Sequence, residues 1–215
     1  MDGLRKMRKL LSEIDQIKQD KDISLIINQK LESFEYFKKG GSNEELFSEL
    51  CFCILTANCK AKTCLEIQSS TEINFQRATA EEIKRHLSKH HYRFPNIRTK
   101  YIIDAQQYSN IIRKILNDYT GLERREWFVQ NISGLGMKEA SHFLRNIGYK
   151  NYAIIDIHIL NLLDRTNFVK KPKTITKKNY LSIEDKLKTL AKETSLNLAS
   201  LDLYLWYIQT GMIIK

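Results

Sequence analysis

Residues 125–163 read REWFVQNISGLGMKEASHFLRNIGYKNYAIIDIHILNLL. Within them Ile132-Ser133-Gly134-Leu135-Gly136-Met137-Lys138 is a tight glycine turn between two apolar, helically spaced segments. Trp127, Phe128 and Ile132 precede the turn. Ala140, Phe143, Leu144 and Ile147 follow it at core spacing, and Gly148 stands where a C-terminal cap belongs. The pattern predicts a helix-hairpin-helix. Gly134 and Gly136 permit left-handed or closely approached backbone, so the amides opening the second helix can point outward at a phosphate. Both glycines are therefore candidate DNA-backbone contacts.

Two side chains near the turn carry chemistry. Lys138 falls in the first turn of the second helix, where the helix dipole disfavours a cation and favours the neutral, nucleophilic amine. Asp156 follows Ala153-Ile154-Ile155 and precedes the helical run Ile157 to Arg165. It occupies an N-cap position, which favours the ionised carboxylate. A helix over 138–147 is about 15 Å long, and the path from 147 to 156 can extend to about 30 Å, so the chain length allows the two to pair.

The rest of the sequence agrees with a folded helical protein. The chain has 215 residues, 42% hydrophobic and 10% aromatic, enough for a real core. No apolar run approaches the roughly 20 residues that cross a bilayer, which excludes a transmembrane protein. The basic, amphipathic N-terminus lacks a signal-peptide h-region, so the chain is expected inside the cell. Helical spacing recurs at Leu4 to Ile17, Leu46 to Leu55, Leu181 to Leu190 and Leu198 to Ile208, and no period-2 strand is evident. Breaks fall near Gly40-Gly41, Pro95, Gly121, Gly134 to Gly136, Gly148 and Pro172, and KKPKTITKK at 170–178 reads as a surface connector. The expected fold is all-α and two-lobed. One lobe is formed by residues 45–130, the other by 1–44 with 131–215.

The formal net charge of +10 and a pI near 9.3 favour a polyanionic partner, nucleic acid or an acidic membrane surface. His86, His90 and His91 lie among Lys84, Arg85, Lys89 and Arg93 and are expected to form a basic surface; no Cys or carboxylate completes a metal pattern around them. Cys51, Cys53, Cys59 and Cys64 fit no zinc spacing and read as reduced, buried thiols.

Ser133-Gly134-Leu135-Gly136-x-Lys138 together with Ile154-Ile155-Asp156-Ile157-His158 resembles the signature of the helix-hairpin-helix DNA glycosylases. These carry a hairpin, a Gly/Pro-rich loop and an essential aspartate, with a lysine at the position of Lys138 in the lyase-competent members. The loop here contains no proline. Endonuclease III-like members ligate an iron–sulfur cluster with four cysteines after the aspartate, and no cysteine follows Cys64. Eukaryotic-type 8-oxoguanine glycosylases add an N-terminal β-rich domain, for which this chain has no room. The motif Arg93-Phe94-x-Asn96-x-Arg98-x-Lys100-Tyr101-Ile102, and an end in which nine residues follow Trp206 up to Lys215, are similar to the compact archaeal and bacterial 8-oxoguanine DNA glycosylase/AP lyases, without an N-terminal β domain.

The resemblance implies a base-excision repair enzyme acting on double-stranded DNA as a monomer, in the cytoplasm or nucleoid of a prokaryote, with no metal or organic cofactor. It implies Lys138 as the Schiff-base nucleophile and Asp156 as the group that stabilises positive charge on the sugar. Phe94 and Trp206 would stack on the flipped base, the terminal carboxylate of Lys215 would read guanine's N1–H and amine, and His158 would contact phosphate. Three alternatives remain open: a glycosylase for another lesion, separable by a panel of damaged duplexes; a non-catalytic helix-hairpin-helix DNA-binding module, which would not need Lys138 and Asp156; and a membrane-surface protein, separable by vesicle sedimentation.

Overall fold

Several helices of this chain start where short polar side chains can satisfy the free amides of a first turn. Ser42 and Thr79 each accept from an amide three residues on while Glu45 and Glu82 reach back, two complete capping boxes. Asp156, Thr176 and Asn197 cap three later helices in the same way. The computed structural model describes residues 2–57 and 59–213, with side chains from residue 8 onward.

Among the described residues there are twelve helices and no strand. In chain order these are α1 (Asp2–Gln19), α2 (Lys21–Gly40), α3 (Asn43–Thr56), α4 (Ala61–Ser69), α5 (Ala80–Lys89), α6 (Pro95–Gln106), α7 (Ile112–Asp118), α8 (Gly121–Asn131), α9 (Met137–Asn146), α10 (Ile157–Arg165), α11 (Lys177–Glu193) and α12 (Leu198–Thr210). The expected all-α architecture holds. Connector 170–178 is exposed apart from Pro172, as its composition predicts, and ends at the Thr176 cap of α11. None of the helices is long and apolar enough to cross a membrane.

The chain divides into two units, one from Tyr36–Ile147 and one joining Met1–Glu35 to Gly148–Lys215. The middle unit is built around α3, buried at every position from Glu49 to Thr56. Such a helix belongs in a core, because it has no polar face to present to water. Helices α4, α6, α7 and α9 pack on it. Its one buried acid, Glu49, accepts from Gln68 at 2.9 Å and Asn146 at 3.2 Å. In the terminal unit α12 takes the central role, with α1, α10 and α11 against it and Leu198 to Leu205 buried. Ile27, Phe34, Leu203 and Tyr204 form part of that core, each large apolar side chain being worth about 1.5–3 kcal/mol when fully buried.

These boundaries correct the expected ones, which joined 36–44 and 131–147 to the terminal segments. The hairpin's second helix packs on α3 and α8, with Phe143 4.9 Å from Phe128. Residues 37–43 are held by Arg113, whose guanidinium donates to the carbonyls of Phe37, Lys38 and Gly41, and by Asn43, which donates to the Asn110 carbonyl at 2.7 Å.

The expected histidine surface is also corrected. His86 lies on the inner face of α5 beside Ile83 and Leu87. Its Nε2 is 3.3 Å from the Ile67 carbonyl and its ring meets Phe75 edge-on. Burial pushes its pKa below the ordinary imidazole value. His91 is exposed and His90 half-buried. The cysteines are free; Cys51, Cys53 and Cys64 are buried and Cys59 half-buried. No cluster of three or more His, Cys, Asp or Glu able to hold a metal occurs among the described residues.

Candidate active site

Each unit holds its own set of predicted residues. In the middle unit the turn between α8 and α9 has the geometry the glycines predict. Gly134 takes φ +84°, and a Cβ there would lie 2.5 Å from the Tyr101 ring and 3.1 Å from an Arg98 nitrogen. Only glycine fits. Gly136, the N-cap of α9, has an ordinary φ of −93°, and a Cβ on it would meet only the Glu139 carboxylate, at 3.3 Å. Leu135 between them is buried and pins the turn to the unit.

Beneath the turn, Arg98 is 7% exposed and donates to the Ala57 carbonyl at 2.8 Å while its guanidinium lies 5.4 Å from the Tyr101 ring centroid. On the other side, the buried Arg125 of α8 donates to Ser141 Oγ at 3.1 Å, and that hydroxyl donates to the Met137 carbonyl at 2.7 Å. The Ser141 hydroxyl thus links Arg125 to the first turn of α9, from which Lys138 projects. Its side chain is 25% exposed, with Nζ 3.6 Å from Glu139 Oε1. Cys64 of α4 lies within electrostatic reach of Lys138, and burial drives that thiol's pKa well up. Phe94 caps α6 ahead of Pro95, half-buried, with the Arg93 guanidinium 4.9 Å over its ring.

The terminal unit holds Asp156, His158 and Trp206. Asp156 is the N-cap of α10, its Oδ1 accepting from the Ile159 amide at 2.8 Å, which fixes one oxygen and leaves the other uncommitted among the described hydrogen bonds. The extended stretch before it, Tyr152 to Ile155, is buried. Buried backbone requires partners, and α11 supplies them. The Glu184 carboxylate accepts from the Ala153 amide at 3.0 Å. Tyr180 Oη donates to the Ala153 carbonyl at 2.7 Å and accepts from the Ile155 amide at 3.2 Å. His158, exposed, meets the half-buried Trp206 ring at 5.1 Å and 70°. Trp206 Nε1 has no hydrogen-bond partner among the described residues. Lys215 lies outside the described residues.

The model of a family described as 8-oxoguanine DNA glycosylase matches residues 27–196. The chain belongs to the 8-oxoguanine DNA glycosylase family. An 8-oxoguanine DNA glycosylase/AP lyase of Methanocaldococcus jannaschii is 42% identical over 96% of this chain and 99% of its own length. One from Korarchaeum cryptofilum is 44% identical over 88% of this chain and 90% of its own. Among solved structures, the Methanocaldococcus jannaschii enzyme in complex with a 15-mer DNA containing 8-oxoguanine has a TM-score of 0.91 at 41% identity, covering 96% of this chain and all of that one. The 8-oxoguanine DNA glycosylase of Thermotoga maritima has a TM-score of 0.90 at 33% identity, covering 97% and 100%.

The reading of the sequence as an 8-oxoguanine DNA glycosylase family member with an all-helical fold is therefore correct. It passed over Tyr180 and Glu184. A detectable signal existed: Glu184 falls in the apolar stripe Tyr180, Ile183, Leu187, Leu190, and an acid in such a stripe must have partners.

Proposed function

We propose that this protein removes 8-oxoguanine from double-stranded DNA and then cleaves the strand at the abasic site. The observation that carries the reading is Lys138 in the first turn behind a glycine hairpin, in a chain matched over 96% of its length by a relative named 8-oxoguanine DNA glycosylase/AP lyase. The relative crystallised with DNA containing 8-oxoguanine supports the substrate.

In this reading the damaged nucleotide is extruded from the duplex, at a cost of a few kcal/mol. Amides at the Gly134 and Gly136 turn, together with His158, hold phosphates. Phe94 and Trp206 offer ring faces to the base, each stack being worth about 1–3 kcal/mol. The terminal carboxylate of Lys215 accepts from guanine's N1–H and exocyclic amine. Lys138 attacks C1′ as the base departs, and Asp156, oriented by its N-cap hydrogen bond, stabilises the positive charge that develops on the sugar. The Schiff base then acidifies the C2′ proton and permits elimination of the 3′ phosphate. The enzyme acts as a monomer.

The test is incubation with a duplex containing one 8-oxoguanine in the presence of borohydride. Wild type should give a covalent adduct, Lys138→Gln none, and Asp156→Asn should lose about 10²-fold or more in excision rate. DNA binding without adduct or excision would move the reading to another lesion or to a non-catalytic DNA-binding role.

A further inference from the structure

Consecutive residues on a helix ordinarily point their side chains apart, yet Lys138 and Glu139 converge. Glu139 occupies the third position of α9 and reaches back over the first turn, its Oε2 accepting from the Gly136 amide at 3.2 Å. That anchor leaves its second oxygen, Oε1, 3.6 Å from Lys138 Nζ, with the two side chains 25% and 17% exposed. A carboxylate is thereby fixed beside the amine, whereas a free glutamate on a helix surface would sample many rotamers.

The other groups of the middle unit around Lys138 are poor proton acceptors. The buried Cys64 thiol is held protonated. Arg98, which also acts electrostatically on that thiol, is a permanent cation. The charged groups of α3 and α8 that face α9 are engaged further along it, Glu49 at Asn146 and Arg125 at Ser141. Among the described residues of this unit, Glu139 is the carboxylate within 4.0 Å of Nζ.

The chemistry proposed for Lys138 needs such a group. Attack forms the Nζ–C1′ bond while the C1′–N9 bond breaks and the base leaves with its electron pair. The product is a secondary ammonium on a closed sugar ring. It must lose a proton before the nitrogen lone pair can expel O4′, and O4′ must gain one. We propose that Glu139 makes this transfer. Its carboxylate takes the proton from Nζ and returns it to O4′ as the C1′–O4′ bond breaks. This yields the protonated Schiff base, a C4′ hydroxyl and the carboxylate restored. The assignment rests on the Lys138 reading above.

The discriminating variant is Glu139→Gln, because Gln can reach back to an N-cap amide from this position as Glu does; the amide oxygen can still receive the Gly136 N–H, but it cannot carry the proton. Base release, borohydride-trapped adduct and strand cleavage are measured in one single-turnover reaction for wild type, Glu139→Gln and Lys138→Gln, alongside DNA affinity and thermal midpoint. In Glu139→Gln the ratio of adduct to released base should fall by about 10²-fold, the scale of general acid–base catalysis, with affinity and midpoint at wild-type values. The same defect should appear on a duplex carrying a preformed abasic site, where no base departs. An unchanged ratio overturns the proposal, as does a loss of adduct that merely tracks lost affinity or stability, the signature of the cap alone. Absence of any adduct with wild type would instead overturn the Lys138 reading itself, an outcome recognisable without the variant.

Discussion

The two units hold their predicted residues by different kinds of force. In the middle unit the turn before Lys138 is dictated locally: Gly134 sits at φ +84° against the Tyr101 ring, and no residue with a side chain can take its place. In the terminal unit the stretch before Asp156 has ordinary extended backbone. It is held by the side chains of Tyr180 and Glu184, 25 to 31 residues further along the chain. One half is thus shaped by what the backbone cannot do, the other by which hydrogen bonds distant residues offer it. The first should fail when bulk is added, the second when a polar atom is removed.

The sharpest way to break this comparison is at Gly134. Gly134→Ala forces a left-handed alanine, costing about 1–2 kcal/mol in backbone energy alone, and drives a methyl into Tyr101. We expect an unfolding free energy lowered by more than that amount, with a correspondingly lower denaturation midpoint, and DNA affinity reduced at least tenfold. Gly136→Ala, at an ordinary φ and facing a movable carboxylate, should leave the midpoint near wild type. Equal effects at the two glycines would show that the turn is not steric in origin.

Tyr180→Phe probes the other half with almost no change in shape. It strips one backbone acceptor and one donor of their shared partner, and each buried group left unsatisfied costs about 1–3 kcal/mol. Stability should fall by a few kcal/mol by that measure. Single-turnover excision should fall with it while DNA affinity stays close to wild type, because the hairpin is untouched. A variant that loses affinity and keeps excision would reverse the assignment of the two halves.

The smallest expected effect is on pH. Burial depresses the His86 pKa in the middle unit, so the folded state binds fewer protons there than the unfolded chain. The stability contributed by its neutral form is present above the unfolded value of about 6.5 and is lost as pH falls below it, through the depressed folded value. Acidification should therefore lower amide-exchange protection factors first around α5, and His86→Gln should flatten that dependence.

The same contrast explains what could be read from the sequence. The hairpin was legible because its cause is local, two glycines and an apolar period within a few residues. Asp156 was legible as a cap followed by a helix. The partners that orient its loop were not, since Tyr180 and Glu184 are ordinary helical residues until the chain returns them to Ala153. The domain boundary was misread for a related reason: whether residues 131–147 join the middle or the termini depends on α9 finding α3, a long-range packing choice with no local signature. His86 was misassigned because a cluster of basic residues in sequence is split by helical geometry, which turns Ile83, His86 and Leu87 inward.

The chain has two tryptophans, and their surroundings make them optically distinct. Trp127 is ringed by Tyr108 at 5.2 Å, Phe128 at 5.1 Å and Tyr119 at 6.3 Å. Trp206 is half-buried, with the His158 imidazole at 5.1 Å. The second indole is a built-in fluorophore beside α10, the helix capped by Asp156, and its emission should respond to movement of the His158 ring. With Trp127 replaced by Phe, the protein would carry a single emitter, and stopped-flow fluorescence could follow lesion engagement in unlabelled DNA.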